Sequence, residues 1–137
     1  MTGLYRHNID AKGRLFIPAK LREELGSAFH VTIGEDGCLA VFSDEGWANF
    51  MNKVSQLPYS VAKQLRRVFA YAADCEPDSQ GRILLPATLR DKVHLEKEVV
   101  ITGSFDRVEI WPAQRWDALE AEEEEKPLEQ IMLELGL

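Results

Sequence analysis

The chain has 137 residues, 45% of them hydrophobic, and a net charge of −7, which suits one compact domain or two small halves sharing a core and leaves no room for a second large domain. Its apolar runs are too short for a membrane span, and its first ten residues hold no apolar stretch before a small-residue cleavage site, so a cytoplasmic protein is expected. Cys38 and Cys75 lack C-x-x-C neighbours and His7, His30 and His94 are scattered, a pattern that predicts reduced thiols and neither a metal site nor a cofactor.

In chain order, residues 4–9 read as a strand running into Asp10-Ala11-Lys12-Gly13. There the Asp side chain can bond the turn backbone and Gly13 can take a positive φ, which predicts a tight hairpin with Leu15-Phe16-Ile17 as its return strand. That return strand is apolar at every position, so both its faces are expected to be covered. Pro18 stops the ladder and suits the first turn of a helix over 19–25, with Gly26 as terminator. A second hairpin, 29–33 with 39–42, turns at Gly34-Glu35-Asp36-Gly37.

Two helical patterns follow. One, after Ser43 or Asp44, puts Trp47, Phe50, Met51 and Val54 on one stripe, and the next, after Pro58, does the same with Val61, Leu65, Val68 and Phe69. Stripes of this kind serve a core or a subunit contact. The first order then returns: a strand near 71–76, a turn at Asp78-Ser79-Gln80-Gly81, the apolar run Ile83-Leu84-Leu85, Pro86, a helix from 87 to about 93, and a hairpin of 99–102 with 108–111. Pro112 opens a helix carrying Trp116 and Leu119 into an acidic run. Pro127 precedes a last amphipathic segment with Leu128, Ile131, Met132 and Leu135, too short to be stable unless it docks.

The return of the same order is a true repeat. Residues 10–22 match residues 78–90 at a constant offset of 68, with seven of thirteen positions identical: Asp10/Asp78, Gly13/Gly81, Arg14/Arg82, Pro18/Pro86, Ala19/Ala87, Leu21/Leu89 and Arg22/Arg90. Weaker similarity continues with one inserted residue, aligning Phe42 with Trp111 and Trp47 with Trp116. Two copies are too few for a solenoid, and a single strand-turn-strand-helix-hairpin unit is too thin to enclose a core. Two pseudo-symmetric halves that interlock are therefore expected. Their limits are 1–54 and 71–116, with a linking helix at 55–70 and an acidic helical tail at 117–137.

The charge divides by position. Residues 117–137 hold eight acids against Lys126, which accounts for the whole of the −7; residues 1–116 balance fifteen bases with fifteen acids. Residues 1–22 carry Arg6, Lys12, Arg14, Lys20 and Arg22 against Asp10 alone. Such asymmetry fits a basic working face and a solvated acidic tail.

The doubled motif, Asp10-Ala11-Lys12-Gly13-Arg14 and Asp78-Ser79-Gln80-Gly81-Arg82, each continuing into three apolar residues and Pro-Ala-x-Leu-Arg, resembles the signature of the MraZ family over the whole chain. The resemblance implies an α+β fold: a duplicated swapped-hairpin β-barrel related to AbrB-type transcription factors, with the halves that such factors supply from separate chains fused into one. It also implies a ring-shaped homo-oligomer that is nucleoid-associated and binds double-stranded DNA at short G-rich direct repeats ahead of the operon for cell division and cell-wall synthesis.

Carried onto this sequence, the family motif points to Asp10, Arg14 and Arg82. An Arg fork can donate two hydrogen bonds to guanine O6 and N7, which makes Arg14 the candidate reader. Lys12 at the turn tip suits a neighbouring base or phosphate, and Arg6, Lys20 and Arg22 suit phosphates. Asp10 and Arg14 face one another across the turn, so an internal ion pair that fixes the hairpin is the competing role; both hold together if Asp10 orients the guanidinium. Gln80 and Thr88 replace Lys12 and Lys20 in the second copy, which assigns DNA reading to the first motif and construction of the barrel or interface to the second. No catalytic arrangement has convincing spacing, so an enzyme is not expected. The alternative class is an oligomeric protein-interaction or antitoxin-like AbrB-fold module.

Overall fold

The computed structural model describes residues 1–137. The elements in chain order are β1 (Leu4–Asn8), β2 (Arg14–Phe16), α1 (Ala19–Leu25), β3 (Phe29–Ile33), β4 (Leu39–Phe42), α2 (Asp44–Ser55), α3 (Tyr59–Ala62), a 3-10 turn (Lys63–Leu65) and α4 (Arg66–Ala70). The second half supplies β5 (Ala73–Cys75), β6 (Arg82–Leu84), α5 (Ala87–Lys92), β7 (Glu98–Ser104), β8 (Arg107–Pro112), α6 (Ala113–Glu124) and α7 (Leu128–Glu134). The fold is α+β. The linking segment after Pro58 is not one helix as expected but two short ones joined by the 3-10 turn.

Six strands form one antiparallel sheet in the order β1-β7-β8-β4-β3-β5, and β2 and β6 form a separate two-stranded ribbon. The sheet has free edges at β1 and β5, so it does not close into the expected barrel. The hairpin expected inside each copy is also replaced: β1 pairs with β7, and β2 pairs with β6 of the other copy. The ribbon's register is symmetric under the sequence offset. Leu15 faces Ile83 on the pseudo-twofold axis, while Arg14 opposite Leu84 and Phe16 opposite Arg82 exchange places. Ile17 N–H donates to Gly81 O at 3.0 Å and Leu85 N–H to Gly13 O at 2.9 Å, continuing the exchange on both sides.

Burial gives the physical reason for this pairing. Leu15, Ile17, Ile83 and Leu85 are wholly buried in one eighteen-residue core that also takes Leu21, Leu25 and Phe29 from the first half and Leu89, Val99 and Ile110 from the second. Burying each such side chain is worth about 1.5–3 kcal/mol, and a hairpin closed inside one copy would reach only half of the partners. The ribbon alternates, however. Phe16 is 36% and Leu84 59% exposed, so the expectation that both faces of the apolar runs are covered fails: this chain covers only the inner face.

Helices cover the outer face of the large sheet. Val100, Trp111, Cys38 and Ala113 are buried there beneath Trp116 and Leu119 of α6. In the first half, Trp47 and Phe50 of α2 pack against Phe42 and Phe69, with centroid separations of 5.7–5.8 Å. Ser43 caps α2 by accepting from Gly46 N–H at 3.1 Å, and Asp44 and Glu45 complement the positive end of the helix dipole. His30 on β3 reaches Asp44 through Nε2 and Asp74 of β5 through Nδ1, tying helix and edge strand together. No helix is long and apolar enough to cross a membrane.

Candidate nucleic-acid interface

Each motif builds the same turn. Asp10 Oδ1 accepts from Lys12 N–H at 3.0 Å and Arg14 N–H at 2.9 Å; Gly13 N–H returns to Asp10 O and Asp10 N–H to Arg14 O, both at 3.0 Å. In the second copy Asp78 Oδ1 accepts from Gln80 and Arg82 N–H, both at 2.9 Å. Gly13 and Gly81 take φ values of 88° and 78°, where a Cβ would clash with backbone. The N–H of the motif arginine, first among several donors, holds each Asp carboxyl below its ordinary pKa, so both stay ionised.

The second carboxylate oxygen fixes the arginine. Arg14 Nε donates to Asp10 Oδ2 at 2.6 Å and Arg82 Nε to Asp78 Oδ2 at 3.0 Å. Neither guanidinium uses Nη1 or Nη2 in any protein hydrogen bond, and the side chains remain 33% and 28% exposed. Ion pairing and a free donor edge therefore coexist: the carboxylate holds one side of the planar fork, and the two terminal nitrogens are left to donate outward.

Strand alternation puts Arg14, Phe16, Arg82 and Leu84 on the ribbon's outer face, with Leu15 and Ile83 turned inward. Arg14 and Arg82 are diagonal neighbours there, a relationship that separates residues by about 7–8 Å. Lys12 is exposed at the first turn, where the second has Gln80.

Arg22 is more engaged. Its Nη1 donates to Ile17 O at 3.1 Å, its guanidinium lies 5.2 Å from the Phe16 ring centre, and it packs directly on Gly81. Arg90 repeats this, with Nε donating to Leu85 O at 3.1 Å and the guanidinium against Gly13. The last arginine of each motif thus crosses to the glycine of the other. This role escaped sequence reasoning, although the matched identities Gly13/Gly81 and Arg22/Arg90 were its visible signal. His7, edge-on to Phe16 at 5.2 Å, also borders the ribbon unforeseen.

The remaining candidates stand apart. Lys20 is exposed, and its Nζ donates to Thr2 Oγ1 at 3.2 Å. Arg6 projects from the face of β1 opposite Tyr5 and His7 and pairs with Asp117 of α6 at 2.6 Å, a hydrogen bond that raises its pKa further. The structure therefore gathers Asp10, Lys12, Arg14, Arg22 and Arg82 around the ribbon and leaves Arg6 outside it. Cys38 and Cys75 are buried, and burial pushes both thiols up, Cys75 to about 11.

The MraZ protein family model matches the chain twice, over residues 1–67 and 68–134. Among curated relatives called Transcriptional regulator MraZ, that of Heliobacterium modesticaldum is 52% identical over 117 residues, 83% of this chain and 82% of its own. That of Lachnoclostridium phytofermentans is 48% identical over 118 residues, 85% and 84% of the two chains. That of Ligilactobacillus salivarius is 45% identical over 140 residues and spans 98% of both.

Proposed function

Because the chain belongs to the MraZ family, we propose that it is a cytoplasmic, nucleoid-associated transcriptional regulator that binds double-stranded DNA through the outer face of the β2–β6 ribbon. The exchange of β2 and β6 between copies supports a swapped-hairpin fold related to AbrB-type factors. The observation that carries the reading is the pair of guanidiniums held by Nε alone, with four terminal nitrogens free on one face.

A two-stranded ribbon fits the major groove of B-DNA, where an arginine reads guanine O6 and N7 with about 1–3 kcal/mol of discrimination. Arg14 reads one guanine. Arg82, built to the same geometry on the same face, addresses a second, which moves it from the constructional role assigned by sequence toward the reading face. Lys12 adds a cation beside the first position only. Arg22 braces the ribbon and contributes charge, and Lys20 and Arg6 are peripheral.

A single ribbon makes few phosphate contacts, and salt readily removes so few. An oligomer presenting identical ribbons to repeated G-rich boxes converts later contacts into intramolecular ones, which supports a ring-shaped homo-oligomer acting ahead of the cell-division and cell-wall operon. The test is a mobility shift on the chain's own upstream region. Arg14→Ala is expected to abolish the specific shift while assembly and melting temperature stay at wild-type values, and Arg14→Lys, lacking the fork, should retain only salt-sensitive binding. Wild-type shifts by Arg14→Ala, or equal wild-type affinity for one box and for three, would overturn the mechanism.

A further inference from the structure

The repeat extends past the second hairpin into the tail. Pro58 and Pro127 stand 69 residues apart, the same offset as Trp47 and Trp116, so α2 with α3 corresponds to α6 with α7. The two helical corners differ in charge. Residues 51–70 carry Lys53, Lys63, Arg66 and Arg67 with no acid, a local +4, whereas residues 117–137 carry the −7. All four of those cations are exposed, and none makes an ion pair. Along the tail only Asp117, Glu122 and Glu134 are paired, which leaves Glu120, Glu123, Glu124, Glu125 and Glu129 free.

Both corners also expose apolar surface. In the first half Met51, Leu57, Tyr59 and Val61 are 41–77% exposed. In the second, Leu128, Ile131, Met132 and Leu135 follow the i, i+3, i+4, i+7 stripe of an amphipathic helix, and every residue of α7 except Ile131 is exposed. The linking segment returns to its own sheet, where Thr32 Oγ1 donates to Val68 O. Nothing in its own chain covers α7. A seven-residue helix is marginal in water, and its stripe is stabilised only by a partner that is apolar and cationic together.

We propose that α7 of one copy docks its apolar stripe on the α2–α3 corner of a second copy, with the free glutamates of the tail facing Lys53, Lys63, Arg66 and Arg67. The occupant is a second copy because the chain itself carries the complementary surface, apolar for apolar and −7 against +4. The two surfaces lie at different places on one chain, so the contact is head-to-tail, and it repeats from copy to copy until a ring closes. This inference rests on the assembly reading above and names its surface.

The test uses the full chain and two sets of exposed substitutions: Leu128→Ser with Met132→Ser and Leu135→Ser in the tail, and Tyr59→Ser with Val61→Ser and Arg66→Glu in the corner. Mass is read by sedimentation, with thermal melts confirming that each variant folds. Wild type is expected to assemble and each variant to run as a monomer. An equimolar mixture should form a heterodimer and nothing larger, since one partner keeps its tail and the other its corner. The monomeric variants should bind a multi-box DNA about 100-fold or more weakly than wild type while keeping single-box binding.

Variants of wild-type mass, or a mixture that stays monomeric, overturn the contact. A monomeric wild type overturns assembly and contact together. Masses as expected but no DNA binding by any form leave the contact standing and overturn the DNA reading alone.

Discussion

Gly13 and Gly81 occupy equivalent turns, yet the structure predicts unequal effects when each becomes alanine. Both have positive φ, so a Cβ at either introduces about 1–2 kcal/mol of backbone strain. At Gly13 the added carbon lies 3.0 Å from the Arg90 guanidinium, which can give by a few tenths of an ångström. At Gly81 it falls 1.5 Å from Arg22 Nη1, and the guanidinium has to leave. Its departure removes the bond to Ile17 O, about 1.5 kcal/mol for a charge-assisted contact, and the stacking on Phe16, about 0.5–1 kcal/mol. Gly81→Ala is therefore expected to destabilise by about 3–4.5 kcal/mol and Gly13→Ala by about 1–2 kcal/mol. Urea unfolding at one fixed chain concentration measures the difference, since the proposed assembly would make the midpoint concentration-dependent. Adding Arg22→Ala to both isolates the cause, because the gap should then vanish. Equal effects in the wild-type background, or a gap that persists without Arg22, would refute the crossed-arginine reasoning.

Two further outcomes follow from the same turns and core. Asp10 and Asp78 have folded pKa values below their ordinary 3.8, so the stability they supply is fully present above that value and is lost as pH falls through it toward the depressed folded value. Asp10→Asn should flatten the acid limb of a stability profile below about pH 4; a limb identical to wild type refutes the linkage. Leu15, wholly buried on the pseudo-twofold axis opposite Ile83, should lose about 2–5 kcal/mol on Leu15→Ala, and a calorimetric trace should show both halves unfolding in one transition. Two separate transitions would refute a shared core.

Local order was legible in the sequence because its signals are local. Pro18, Pro86, Pro112 and Pro127 each precede an observed helix, and the segments on either side of the turns at 34–37 and 103–106 form the hairpin strands expected there. Partner choice was not legible. The apolar run at residues 15–17 serves equally well as the return strand of its own hairpin or as a mate for residues 83–85, and only the three-dimensional core selects the second. Apolar composition also misled at Phe16 and Leu84, because a strand with three apolar residues does not announce which face the chain leaves open. At the site, the Asp-Arg pair was foreseen as either scaffold or reader. What sequence could not supply was that Nε alone takes the carboxylate, a matter of side-chain geometry that residue spacing does not encode.

That both copies of the repeat lie in one chain has a consequence for how such a ribbon would address a double helix under the proposed function. A ribbon made by two identical chains has a true twofold axis and reads a palindromic site with equal strength in both directions. Here the axis passes between Leu15 and Ile83, and the positions that build the ribbon, Gly13/Gly81, Arg14/Arg82 and Arg22/Arg90, are kept identical across it. The positions that do not build it are free to diverge, and Lys12/Gln80 and Lys20/Thr88 have done so. Two equal guanidiniums consequently work in unequal surroundings, with added positive charge on one side of the axis only. Such a ribbon has a direction, and if it reads DNA from the head-to-tail assembly proposed above, it should match boxes that repeat in one orientation better than boxes that face one another.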